Sequence, residues 1–200
     1  MKKIIIALTF LLSTPLMAAG SSLYGGISYG SSTFDTGITG LTGTASLDEN
    51  GTGYKLFIGN KISKRLAFEA FYADFGEATI KGNNGDQFVL EGTTFEFLRN
   101  NATLAISATG FGINANFTHN FSDKSSIIGR LGLVSWNAKV SVSASDATGG
   151  SYTTSGSDVL YGIGYQYNFT KKVGLVIDYD MFTMEDLDIK TLSLGVNVKF

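Results

Sequence analysis

The 200-residue sequence has no cysteine, a single proline, Pro15, and a single histidine, His119. Without cysteine there is no disulfide framework and no thiolate metal site. Proline cannot donate a ladder hydrogen bond, so a chain free of it after residue 15 is suited to being strand almost throughout. Beyond the first twenty residues no run of about 18 apolar residues occurs, so no later transmembrane helix is expected. The formal net charge of -2 leaves no electrostatic footprint for nucleic acid. What the chain does have is 25 glycines, 15 phenylalanines and 9 tyrosines, within a length that suits one domain.

The start of the chain is an address. Met1-Lys2-Lys3 is basic, Ile4 to Leu12 is apolar and Pro15 to Gly20 is a small-residue exit, the three regions of a secretory signal peptide. Residues 1–19 are assigned to that signal, with cleavage near Ala18 or Ala19, and residues 20–200 to one domain.

Along that domain side chains alternate with period two, one face bulky and apolar, the other small or polar. Leu23, Ile27 and Tyr29 face away from Gly26, Ser28 and Gly30. Tyr54, Leu56 and Ile58 alternate with Lys55, Phe57 and Gly59, and Leu66, Phe68, Ala70 and Tyr72 with Ala67, Glu69, Phe71 and Ala73. Phe111, Ile113, Ala115 and Phe117 oppose Gly112, Asn114, Asn116 and Thr118, while Leu131 and Leu133 oppose Arg130, Gly132, Val134 and Trp136. Three further segments do the same: Tyr161 to Asn168, Leu175 to Met181 with Asp178 and Asp180 on the polar face, and Leu192 to Phe200 with Lys199 on it. Eight strands result. Short turns near Ile62 to Arg65, Phe121 to Ser125 and Thr170 to Lys172 alternate with longer polar stretches at Ser31 to Gly51, Thr79 to Ile106 and Ser143 to Ser157, and a brief one at Thr183 to Asp188. Short turns at one rim and long loops at the other mark bacterial outer-membrane barrels.

Period two alone does not orient the apolar face, which a soluble lipocalin-like barrel would turn inward. The other face holds Lys55, Glu69, Arg130, Asp178, Asp180 and Lys199 among glycines. Buried singly in a soluble core those charges would be costly, whereas in a narrow lumen they pair with one another and with water. The fold expected is therefore all-β: an eight-stranded antiparallel up-and-down transmembrane β-barrel, integral to the bilayer and closed on itself as a membrane-spanning sheet must be.

Three stretches make the chain resemble the transmembrane barrel of the outer membrane protein A family: Ala67-Phe68-Glu69-Ala70-Phe71-Tyr72 with Phe75-Gly76, Arg130-Leu131-Gly132-Leu133-Val134 with Trp136, and Leu192-Ser193-Leu194-Gly195-Val196 running to Phe200. The resemblance implies an inward ionic network containing Glu69 and Arg130. The family's further inward basic positions stand here as Asn116 and Val176, leaving Lys55 and Lys199 as stand-ins. Leu194, Val196, Val198 and Phe200 look like the closing-strand signal that the barrel-assembly machinery of Gram-negative bacteria recognises. No counterpart of the family's peptidoglycan-binding domain is expected in these residues, so cell-wall anchoring is not carried over.

Small outer-membrane barrels also include lipid A deacylases and palmitoyltransferases, which need a base and a nucleophile within hydrogen-bond reach. His119 sits beside the short turn at Phe121 to Ser125 and reads as interfacial, so no enzyme, cofactor or resident metal is expected. Glu185, Asp186 and Asp188 read as solvated loop charge, with lipopolysaccharide-bound divalent cations as the alternative. An eight-stranded lumen is about filled by its side chains, which argues against a general porin. The expected protein is a monomeric envelope barrel among outer-membrane lipid and lipopolysaccharide, with a plugged polar lumen. The alternatives are an adhesin or host-interaction barrel acting through its loops, a narrow pore, or a lipid-modifying barrel. The stretches Lys81 to Gly85 and Ala144 to Gly156 are read as exposed loop tips.

Overall fold

A computed structural model describes residues 22–145, 147–184 and 187–200; the signal-peptide assignment and the loop acids Glu185 and Asp186 lie outside them. Alternating β-branched, aromatic and small residues favour extended chain, and eleven strands form: β1 (Leu23–Asp35), β2 (Ser46–Asp48), β3 (Asn50–Lys61), β4 (Leu66–Gly82), β5 (Gln87–Leu90), β6 (Thr93–Glu96), β7 (Ala102–Asn120), β8 (Ser125–Ala144), β9 (Ala147–Asn168), β10 (Val173–Met184) and β11 (Leu187–Lys199). Eight of them run antiparallel in the order β4-β3-β1-β11-β10-β9-β8-β7, and β7 pairs back to β4 to close the barrel. First strand meets last, with Tyr24 opposite Lys199. Closure leaves the ladder without an edge over the stretch where all eight strands overlap, the condition for strands to cross hydrocarbon.

The outward face carries Ile27, Leu56, Ile58, Ile113, Leu131, Leu133, Ile163, Ile177, Leu194 and Val196, all exposed. Together with exposed tyrosines and phenylalanines they form an apolar band around the barrel, as on a transmembrane β-barrel. Glu69, Asn114, Asn116, Arg130, Asp178 and Asp180 face inward and are buried.

Strand length is where the structure departs most from the sequence reading. The connection expected at Ser143 to Ser157 is almost all strand: β8 runs to Ala144 and β9 resumes at Ala147, with Ser141 opposite Ser151 and Trp136 opposite Gly156. Glycine, serine and threonine there have little alternating hydrophobicity to display, and it is pairing with β8 that holds them extended. The Thr79 to Ile106 stretch likewise holds the end of β4, the β5–β6 hairpin and the start of β7. The Lys81 to Gly85 part of it includes a true turn, with Gly85 at φ +88°. Residues 36–45 bridge to the hairpin through Thr39 and Val89. Under this cap lies a separate small core of Ile38, Ile80, Phe88, Phe97 and Ala102.

Candidate functional site: the barrel lumen

Four inward charges meet at mid-barrel. Arg130 on β8 contacts Asp178 at 2.6 Å and Asp180 at 3.2 Å. Lys55 on β3 contacts Asp180 at 2.5 Å and Asp178 at 3.5 Å. Two cations and two anions thus close a neutral ring in which each charge touches both of opposite sign, the arrangement that offsets desolvation of buried ions. Arg130 must cross β9 to reach β10, and Gly162 and Gly164 open the way. A Cβ at Gly162 would collide with the Asp180 carboxylate, and one at Gly164 would lie against Asp178 and both Arg130 terminal nitrogens.

Glu69 stands apart from this ring. Its Oε2 accepts from the Tyr24 hydroxyl at 3.1 Å and from Asn116 Nδ2 at 3.0 Å. Asn116 also donates to the Tyr24 oxygen, and Asn114 donates to Asn116 Oδ1 at 2.6 Å. Glu69 and Arg130 thus take different direct partners. Asn116, at a position where the resemblance has a basic residue, supplies Glu69 with a neutral donor, and Arg130 is held by two aspartates of its own. Lys199 is also separate, its Nζ donating to Asn168 Oδ1 at 3.3 Å.

Below the ring, toward the short turns, a polar vestibule of about 470 Å³ is lined by Tyr24, Glu69, Asn116, Gln166, Asn197 and Lys199 among others. Above it the lumen is a hydrophobic core of Phe34, Phe71, Phe75, Trp136, Phe182 and Ile189 with smaller neighbours. The Phe75 and Phe182 rings meet edge-on at 4.6 Å, and Trp136 Nε1 donates to Asp158 at 2.8 Å. Beside Lys55 and Phe182 the void is about 20 Å³, room for a single water. The polar lumen expected from sequence is thus polar in its inner half and apolar in its outer half.

On the closing strand Leu194, Val196 and Phe200 are exposed on the outer face and Val198 is half-buried, while β11 is paired on both edges. His119 is exposed at the end of β7, its ring edge-on to Phe121 at 5.2 Å.

A closed, eight-stranded barrel with an apolar outer band and an ionic lumen is an integral outer-membrane barrel. The chain belongs to the outer membrane protein beta-barrel domain family, whose sequence pattern matches residues 4–200. Among curated proteins, none matches it in sequence. Solved structures similar in fold include three outer-membrane barrels. One is Ail, the attachment invasion locus protein of Yersinia pestis, in complex with the heparin analogue sucrose octasulfate, at 17% identity over 90% of this chain and 99% of that one, TM-score 0.53. Another is Neisserial surface protein A, at 18% identity over 92% and 100%, TM-score 0.51. The third is the N-terminal β-barrel domain of Pseudomonas aeruginosa OprF, at 11% identity over 91% and 100%, TM-score 0.51.

Proposed function

We propose that the protein is a closed, non-catalytic barrel that supports the structure and integrity of the outer membrane. The observation that carries this reading is the occluded lumen: a neutral ring of four buried charges beneath an aromatic core. Planar-bilayer recordings of the refolded protein test it, with no stable openings expected; large, sustained single-channel currents would overturn it. In this reading the barrel is a monomer among outer-membrane lipid and lipopolysaccharide, exported by residues 1–19 and assembled through the outward Leu194, Val196, Val198 and Phe200. Deleting Phe200 lowers the heat-modifiable fraction in the outer membrane, and unchanged assembly would remove the assembly role.

A second reading, surface attachment through the outer strands, is favoured by Phe95, Leu98 and Tyr152, exposed on the cap and the β8–β9 hairpin. A sulfated glycan such as the heparin analogue bound by Ail is a poor match, because this end is acidic. Ten Asp and Glu stand there among the described residues, including Asp74, Glu77, Glu91 and Glu96, against Lys81, Arg99, Lys139 and Lys190. Adhesion and envelope-permeability assays on a deletion strain and on a strain lacking the β5–β6 hairpin separate the two roles.

A further inference from the structure

The three short turns are built alike, to the atom. Their sequences are Ile62-Ser63-Lys64-Arg65-Leu66, Phe121-Ser122-Asp123-Lys124-Ser125 and Phe169-Thr170-Lys171-Lys172-Val173. In each, the first two N–H groups donate to the carbonyl of the fifth residue. The hydroxyl of the second residue accepts from the N–H groups of the fourth and fifth, as at Ser63, Ser122 and Thr170. The carbonyl of the fourth residue accepts from the next strand of the barrel: Arg65 from Thr118 at 2.8 Å, Lys124 from Asn168 at 2.7 Å, Lys172 from Lys199 at 2.8 Å.

The fourth residue is therefore fixed through both its backbone groups, and in all three turns it is basic. Lys64 and Lys171 add to this, so the turns carry five cations against one acid, Asp123. The first residue of each turn is apolar and points outward: Ile62 is 58%, Phe121 63% and Phe169 55% exposed. Apolar residues that continue the lipid-facing band thus stand three positions ahead of a basic residue whose backbone is fixed, so its charge is within side-chain reach of the headgroup level. Turn geometry alone needs none of this, since the serine and threonine bonds fix the backbone whatever the side chain at the fourth position.

We propose that the inner rim binds anionic phospholipid headgroups of the leaflet that meets the short turns, with Arg65, Lys124 and Lys172 as the fixed contacts. The chemistry recognised is a phosphodiester without a compensating ammonium. Basic residues at an anionic membrane surface are attracted to it, and salt weakens the attraction. Long cationic side chains at the edge of the band also keep their stems on apolar surface and their heads among phosphates.

The test is lipid selectivity of the refolded full barrel in phosphatidylcholine vesicles, read by electron spin resonance of spin-labelled phosphatidylglycerol against spin-labelled phosphatidylcholine. Phosphatidylglycerol is expected at the barrel about two- to fivefold in preference, with the preference reduced in half-molar salt. A variant carrying Lys64→Gln, Arg65→Gln, Lys124→Gln, Lys171→Gln and Lys172→Gln abolishes it, whereas Lys139→Gln with Lys190→Gln at the opposite rim leaves it intact. If the fivefold variant does not refold, Lys171→Gln with Lys172→Gln loses part of the preference, and the salt arm needs no variant. Equal association of the two lipids with the wild type overturns the proposal. So does a preference that survives the substitutions, or retention of the wild type on insoluble peptidoglycan with no lipid preference.

Discussion

Up to Leu133, strand β8 turns Leu131 and Leu133 outward and Arg130 inward; beyond it Ser135, Asn137 and Lys139 face outward while Val134, Trp136 and Ala138 face inward and are buried. Strand β10 does the same, with Ile177 and Tyr179 outward below and Phe182 and Met184 inward above. In β4 the change coincides with a one-residue bulge between Asp74 and Glu77, where Gly76 sits at φ +76° and its N–H bonds Asp74. The bulge shifts the inward set from Ala67, Glu69, Phe71, Ala73 and Phe75 to Ala78 and Ile80. One continuous sheet thus lies in two solvents. Where hydrocarbon surrounds it, the apolar side points out; where water surrounds it, the apolar side must point in. The outer edge of the bilayer is expected at the level where the apolar face changes side, near Ser31, Asp74, Ser135 and Thr183.

The comparison is broken most severely by truncating the outer core. Phe182 is buried between the rings of Phe71 and Phe75, so Phe182→Ala should cost about 3–5 kcal/mol, as in a soluble core. Thermal unfolding in detergent measures this. A loss below about 1 kcal/mol, the scale of a tolerated surface change, would mean that the outer lumen is not a packed core.

Next in size is the ionic ring at the boundary between the two lumen halves. Arg130→Ala leaves Asp178 and Asp180 with one cation between them, and breaking a buried pair from one side costs about 3–5 kcal/mol. A double-mutant cycle of Arg130→Ala with Asp180→Asn should show coupling of about 0.5–3 kcal/mol, and the cycle of Arg130→Ala with Glu69→Gln much less. Additivity in the first cycle and coupling in the second would make Glu69, not Asp180, the partner of Arg130.

Both the faces and the closure of the barrel were legible in the residues, because lipid-facing positions such as Leu131, Ile163 and Leu194 repeat every second residue against glycine or charge. Of the charges on the inner face, Glu69, Arg130, Asp178 and Asp180 are buried, and Lys55 reaches the two aspartates. Their pairing was not legible, since it depends on which strands are neighbours and at what height, although Gly162 and Gly164 between Arg130 and the two aspartates were a usable hint. The outer core was missed for a different reason. Val134 and Trp136 fall on the inner face, but period two says nothing of what surrounds the strand, and only the accompanying change from Leu133 to Ser135 and Lys139 on the outer face signals a second solvent. The β9 extension, with Gly149, Gly150, Ser155 and Gly156, carries no alternation strong enough to read as strand.

A charge on the outer face separates the two solvents directly. Leu133→Arg, inside the apolar band, should cost about 2–4 kcal/mol if it lies near the midplane. Asn137→Arg, two outward positions further along the same strand, should stay within about 0.5 kcal/mol. Comparable losses at the two sites would move the bilayer edge beyond Asn137.

The smallest expected effect concerns the cap, where polar contacts add to the small apolar core in holding the β5–β6 hairpin in place. Asp86 gathers three donors there: the Thr44 hydroxyl at 2.6 Å, the Asn83 N–H at 2.8 Å and the Thr44 N–H at 3.1 Å. These bonds, that from the Thr44 hydroxyl foremost, hold the carboxyl below the usual aspartate range. A carboxylate whose pKa is depressed by folding stabilises the structure at pH values above its unfolded value of about 3.9, and that contribution is lost as pH falls through the lower folded value. Acidification should therefore loosen residues 36–45 and the hairpin while the barrel, whose ladder does not depend on Asp86, stays closed. Amide hydrogen exchange resolves the two regions: the N–H groups of Thr44, Asn83 and Phe97 should lose protection in acid relative to those of β1 and β11. Asp86→Asn removes the titrating group and should flatten that pH dependence. If the variant kept the wild-type acid response, another group would have to hold the cap.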